Sequence, residues 1–155
     1  MVRNSFKVDI QELLNTCKLW NNKMLELVQV DNVPVHKQDE PVRVATVKTP
    51  YIGIDNDPIH VYVGKTRDKT YVMSDGGQTL RDLHEYGITD DMCLTSNMLN
   101  RIRLMYGVDY CNGSLITTCD KVHVGRCMAN LLQGIMVMYG TLCTVDVNWD
   151  DTFDM

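Results

Sequence analysis

Three short runs of alternating apolar residues, joined by connections too tight for a crossover, most constrain what this chain can fold into. Val42, Val44 and Thr46 alternate with Arg43, Ala45 and Val47; Ile59, Val61 and Val63 share a face opposite His60 and Tyr62; Tyr71-Val72-Met73 makes a third run. A period of two is the mark of a strand with one face on a core. Thr49-Pro50-Tyr51 breaks the first run, Gly53 to Pro58 reads as a turn, and Gly64 to Lys69 reads as a charged hairpin loop. Parallel neighbours need a crossover of about a dozen residues or more, so the sheet is expected to be largely antiparallel.

Helical spacing surrounds these runs. Ile10, Leu13, Leu14, Cys17, Trp20, Met24, Leu27 and Val28 form one apolar stripe, predicting a helix over 9–28 with Asp9 at its start. Residues 29–41, with Pro34, read as a loop or irregular edge. After Asp75-Gly76-Gly77, a short helix is predicted over 78–86 with Leu80 and Leu83 inward and Gly87 ending it. A further helix is expected from Asp90 or Asp91 through Leu94, Met98, Ile102, Met105 and Tyr106, ending at Gly107. Asn112-Gly113 then suits a type I′ hairpin turn. Asp120 caps a last helix whose stripe is Val124, Cys127, Leu131, Ile135 and Met138. The expected fold is α+β: a small, largely antiparallel sheet (a three-strand meander plus a hairpin) packed with about four helices. One domain is expected over 1–144, followed by a tail over 145–155.

With 155 residues the chain suits one core. No stretch nears the ~18 apolar residues of a membrane span, and no apolar run follows the basic start, so a cytoplasmic protein without a membrane partner is expected. The six cysteines contain no C-x-x-C pair, which argues against a zinc ribbon or disulfide frame and for thiols in the core. The net charge is −5, of which Asp146, Asp150, Asp151 and Asp154 in the last ten residues carry −4. A nearly neutral body argues against a dedicated nucleic-acid binder. A local patch of Arg81, Arg101, Arg103 and Lys65 keeps nucleic acid as an alternative partner.

Thr49-Pro50-Tyr51-Ile52, Asn56-Asp57 and Ile59-x-Val61-Tyr62-Val63, followed by Tyr71-Val72-Met73-Ser74-Asp75-Gly76-Gly77-Gln78-Thr79-Leu80-Arg81-Asp82-Leu83, carry a resemblance. They are similar to the signatures T-P-[FY]-[LI] … N-D-x-I-x-[IV]-Y-V and Y-x-L-[ST]-D-D-G-x-T-[IL]-x-D-L of a bacterial and phage domain-of-unknown-function family, number eighteen twenty-eight. The resemblance runs over roughly residues 9–139. It implies a small α+β domain of prophages and mobile elements and implies no activity. Gly53 and Gly76 stand where the family pattern usually carries acids, so two carboxylates are missing here.

Asp55, Asp57 and Asp75 are the candidate catalytic set. Carboxylates at strand ends could converge on Mg²⁺ or Mn²⁺ for phosphodiester chemistry, with His60 beside them and Lys65 or Lys69 on a phosphate. The simpler reading is that these residues serve turns and that Asp75 caps a helix. Gly76-Gly77 could cradle a phosphate at a helix start, against a plain strand-to-helix turn. Cys119, Asp120 and His123 form the best local nucleophile trio, while His36, His60 and His84 are too dispersed for a metal motif. No metal or cofactor is expected.

The tail is the most distinctive feature. Trp149 and Phe153 stand among Asp150, Asp151 and Asp154, and such a segment can dock in a basic groove with its rings as anchors. The competing reading is a solvated terminus after a short edge strand. The function expected is a non-enzymatic protein–protein interaction module of phage or mobile-element origin that modulates or inhibits a host protein, such as a defence or nucleic-acid-processing machine. Trp149, Asp150, Asp151, Phe153 and Asp154 are its candidate contacts. The alternatives are a metal-dependent nucleic-acid-processing enzyme and a nucleic-acid-binding module.

Overall fold

The apolar stripe of the first helix starts earlier than its spacing from Ile10 implies. A computed structural model describes residues 2–16, 25–33, 42–66, 70–89, 91–92 and 97–140, and in it α1 spans Val2–Thr16. Phe6, one turn before Ile10, is buried with Ile10, Leu13 and Leu14. Asp9 therefore lies inside the helix rather than at its cap, where its carboxylate meets Lys65 Nζ at 3.3 Å. Cys17, Trp20 and Met24 lie outside the described residues.

The end of that predicted helix is a strand. β1 spans Glu26–Val33 and pairs antiparallel with β2, Val42–Ile52. Leu27 and Val28 fit the helical stripe by spacing, but they begin a segment with Val30 and Val33 whose β-branched residues suit a pleated surface. β3, Pro58–Lys65, buries Ile59, Val61 and Val63 and leaves His60 and Tyr62 on the other face. β4 is Tyr71–Ser74.

The expected meander and hairpin form one sheet. β5 (Asp109–Cys111) and β6 (Ser114–Cys119) make the hairpin, with Asn112 and Gly113 both at positive φ, the conformation a type I′ turn needs. β6 then pairs antiparallel with β4, with Ser74 opposite Ile116. The order is β1-β2-β3-β4-β6-β5, six strands and antiparallel throughout. Joining the hairpin to the meander satisfies the free edge of β4, which would otherwise expose unpaired backbone groups.

Four helices of the described residues accompany the sheet: α1, α2 (Gln78–Glu85), α3 (Met98–Tyr106) and α4 (Val124–Tyr139). α4 buries Val124, Met128, Leu131, Leu132, Ile135 and Met138, and it packs on β4 and β6 and on the other three helices. Its Cys127 is only half-buried, so the stripe is centred one residue further on, at Met128. Asp91 and Met92 are helical, as the expected start at 90 or 91 requires, but α3 begins anew at Met98, just after Asn97 at φ 64° breaks helical geometry. Leu99 and Ile102 face the core, while Met105, expected inward, is 68 % exposed. Cys119 is buried and Cys127 half-buried, but Cys111 lies exposed on the edge strand β5 and is no core thiol. None of the three forms a disulfide. No helix among the described residues is long and apolar enough to cross a membrane.

Candidate functional site

The strand register leaves a gap in the molecule. β3 begins at Pro58, but its first partner on β4 is reached only at Tyr62, opposite Ser74. The first part of β3 therefore overhangs the end of β4, where the chain turns into α2. The C-terminal end of α4 closes the far side. The resulting cleft encloses about 270 Å³ and is lined by the turn before β3, by Pro58 to His60 and Tyr62, by Asp75, Gln78, Thr79 and Asp82, and by Tyr139.

Asp75 holds the turn at the back of the cleft. It is 2 % exposed. Its Oδ1 accepts the N–H of Gly77 at 2.9 Å and of Leu115 at 2.9 Å, and its Oδ2 accepts the N–H of Thr79 at 3.1 Å. One carboxylate thus caps the start of α2 and clamps β6 to it across 40 residues of sequence. Three donors to a buried carboxylate satisfy a charge that would otherwise be costly to desolvate. The same bonds occupy the N–H groups at the head of α2. With Gly76 N–H donating to Ser74 Oγ at 3.0 Å, the Gly76-Gly77 turn is closed by the protein's own oxygens and is no phosphate cradle.

The opposite wall is a polar relay. Tyr139 Oη donates to Asp82 Oδ2 at 2.8 Å, and Gln78 Nε2 donates to Asp82 Oδ1 at 2.6 Å. Burial, and then the hydrogen bond to Asp82, push the Tyr139 phenol well above its ordinary value of 10.0, and a hydrogen bond with Thr79 acts in the opposite direction. The Arg81 guanidinium lies outside the lining, bonded to Gln78 Oε1 at 3.1 Å and to the Gly76 carbonyl at 3.3 Å.

Gly53 and Gly76 meet two tyrosines of the cleft. At Gly53 a Cβ would lie 3.2 Å from Tyr139 Cε2. At Gly76, held at φ +66°, a Cβ would lie 2.6 Å from Tyr62 Cε2. Only glycine combines that backbone with so close a ring.

Two members of the expected catalytic set, Asp57 and Asp75, line this one cleft, while Asp55 lies in the 3-10 turn Ile54–Asn56 just before Asp57. The Gly53 N–H donates to the Asp57 carbonyl at 2.8 Å to close that turn. The Asp57 side chain is exposed, and among the described residues its carboxylate has no hydrogen-bond partner. His60 is in the lining as expected. Asp82 and Tyr139 were not singled out by sequence, because they look like ordinary members of helical stripes. No cluster of three or more His, Cys, Asp or Glu side chains suited to a metal occurs among the described residues.

The other candidates separate. Lys65 is paired with Asp9 rather than with the aspartates, and Lys69 lies outside the described residues. Cys119 is 7 % exposed and core-facing on β6, whereas Asp120 and His123 pair in solvent, with His123 Nδ1 2.7 Å from Asp120 Oδ1. The nucleophile trio is therefore not assembled. Asp120 instead caps the turn into α4, accepting the His123 N–H at 3.0 Å, and the His123 side chain holds its carboxyl below the usual range. Arg81 lies on α2, Arg101 and Arg103 on α3, and Lys65 at the end of β3. Trp149, Asp150, Asp151, Phe153 and Asp154 lie outside the described residues, as does His36.

No curated protein and no solved structure matches the chain significantly. A family model described as "Domain of unknown function DUF1828" matches residues 49–137. The match starts inside β2, so α1 and β1 lie outside it, although the resemblance reached back to about residue 9. It contains every lining residue of the cleft except Tyr139. With more than half of its length matched, including both signature segments that build the cleft, the chain belongs to the DUF1828 family.

Proposed function

We propose that this protein is a non-enzymatic interaction module of phage or mobile-element origin, working in the cytoplasm, that binds a host protein and modulates or blocks it. The observation that carries the reading is the state of Asp75. The buried acid of the signature accepts three backbone N–H groups, so most of its acceptor capacity goes to holding the turn into α2 and β6 together. What the cleft offers is surface: a concave, partly apolar recess with Asp57 unengaged at its rim. The acidic aromatic tail is the second proposed contact, with Trp149 and Phe153 as anchors.

Co-purification from nuclease-treated bacterial lysate, read by mass spectrometry, tests this reading. A stoichiometric host protein is expected. Replacing Trp149 and Phe153 by alanine is expected to weaken it by at least about 2 kcal/mol if they are hot spots. Partner binding that survives both replacements would remove the tail from the account.

One observation favours a second reading. Asp57 and Asp75 do line the same cleft, as a metal-dependent enzyme acting on nucleic acid through Asp55, Asp57 and Asp75 would require. A rise in melting temperature on adding Mg²⁺ or Mn²⁺, lost in Asp57→Ala, is its mark.

A further inference from the structure

The cleft's volume of about 270 Å³ exceeds what a bare ion needs, since even a water molecule takes only about 30 Å³ in the liquid. Its polarity has one sign. Among the described residues Asp57, Asp75 and Asp82 line it, no lysine or arginine does, and His60 is the one lining group able to carry positive charge. An anionic ligand would meet repulsion there.

The open valences are specific. An ionised carboxylate offers about four acceptor sites. Asp82 has one bond on each oxygen, from Gln78 and Tyr139, and keeps capacity on both. Asp57 has no partner for its carboxylate among the described residues. Asp75 is buried and already accepts three N–H donors, two on Oδ1 and one on Oδ2, so it offers the least of the three. Two available carboxylates make a sparse set for Ca²⁺, which takes about six to eight oxygens, and a Mg²⁺ held by two would need waters or phosphates to complete its octahedron. They suit a cation that brings several donors of its own. The Tyr62 ring, seated on Gly76, adds an aromatic wall on which a flat cation can stack.

We propose that the cleft binds a guanidinium group, presented by an arginine side chain of the protein partner; this rests on the interaction reading above. Guanidinium is planar, carries five donors in a fixed fork and stacks on aromatic faces, whereas ammonium is a compact and strongly hydrated point charge. Asp57 and Asp82 accept its N–H donors, and Tyr62 covers its face.

The test is an amide NMR titration of the full chain with methylguanidinium, with methylammonium alongside. Saturable shifts are expected at Gly53, Asp57 and His60, weaker for methylammonium. Asp57→Asn, a change at an exposed side chain, is expected to weaken methylguanidinium about tenfold, the equivalent of about 1.4 kcal/mol. Absence of saturable shifts, or equal affinity in Asp57→Asn, would overturn the assignment. So would tighter binding of methylammonium. A host protein captured by a chain that gives no methylguanidinium shifts would sink the guanidinium site and leave the interaction reading standing. Saturable methylguanidinium binding without any captured protein would do the reverse.

Discussion

Asp57 and Asp75 line the same cleft and differ in what surrounds them. Both follow a turn-type residue and flank a strand end. Asp75 is buried, accepts three backbone N–H groups and ties α2 to β6. Asp57 is exposed, and its carboxylate has no partner among the described residues. A buried carboxylate whose acceptor sites are mostly taken by backbone belongs to the fold, and an exposed one whose sites are open is available to a ligand. The number of donors each acid meets separates the two roles, not the residue type or the turn context.

That contrast can be broken by mutation, and the largest effect is expected at Asp75. Asp75→Ala strands three N–H groups in a buried turn and should lower stability by roughly 3–5 kcal/mol, measured by urea denaturation with an unchanged m-value. A loss below about 1 kcal/mol would mean that water replaces the carboxylate and that Asp75 is no clamp.

Next comes the glycine that seats Tyr62. Gly76→Ala must place a Cβ where the ring now lies, at a positive φ, and should cost about 1–3 kcal/mol. Adding Tyr62→Ala should recover part of that loss, which a double-mutant cycle measures directly. Additive effects would show that ring and glycine are independent.

The Tyr139 relay is expected to matter less. Tyr139→Phe removes one hydrogen bond to Asp82 and should cost about 1 kcal/mol at neutral pH. The pH dependence has a definite sign. The folded phenol titrates above its ordinary value of 10.0, so the folded state holds its proton where the unfolded chain releases it. The contribution is complete below pH 10.0 and falls away as pH rises past it. Wild type should therefore lose its advantage over Tyr139→Phe in alkaline solution, as followed by denaturation at several pH values. An advantage that grows above that pH would contradict the burial of the phenol.

The smallest expected effect on stability is at Asp57, where Asn should shift the folding free energy by no more than about 0.5 kcal/mol while reducing ligand binding.

How far such roles can be read without coordinates depends on how local their causes are. The strands at 59–63 and 71–73, the Asn112-Gly113 turn and the capping by Asp120 rest on neighbours within a few residues, and each is found in the structure. Leu27 and Val28 went astray because their spacing suits a helical stripe and a strand equally, and only pairing with β2 decides between them. The union of meander and hairpin into one sheet depends on β4 meeting β6 after two intervening helices, a long-range event that no local pattern encodes. In the cleft, Asp57, His60 and Asp75 stood out as polar residues at strand ends. Asp82 and Tyr139 did not, because the bond between them spans 57 residues. The one available signal was a tyrosine closing the otherwise apolar stripe of α4, where its hydroxyl needs a polar partner if buried. That Gly53 and Gly76 make room for two rings is a matter of packing and has no local trace.

Asp75 holds the fold together, whereas Asp57 is proposed to serve binding and neither to hold a metal. The most direct measurement is the melting temperature of wild type, Asp57→Asn and Asp75→Ala, each with and without Mg²⁺. The account predicts a wild type indifferent to the ion, an Asp57→Asn variant that melts with it, and an Asp75→Ala variant that melts far lower in both conditions. A melting temperature that rises with Mg²⁺ in wild type and stays flat in Asp57→Asn would contradict it and make the cleft a metal centre.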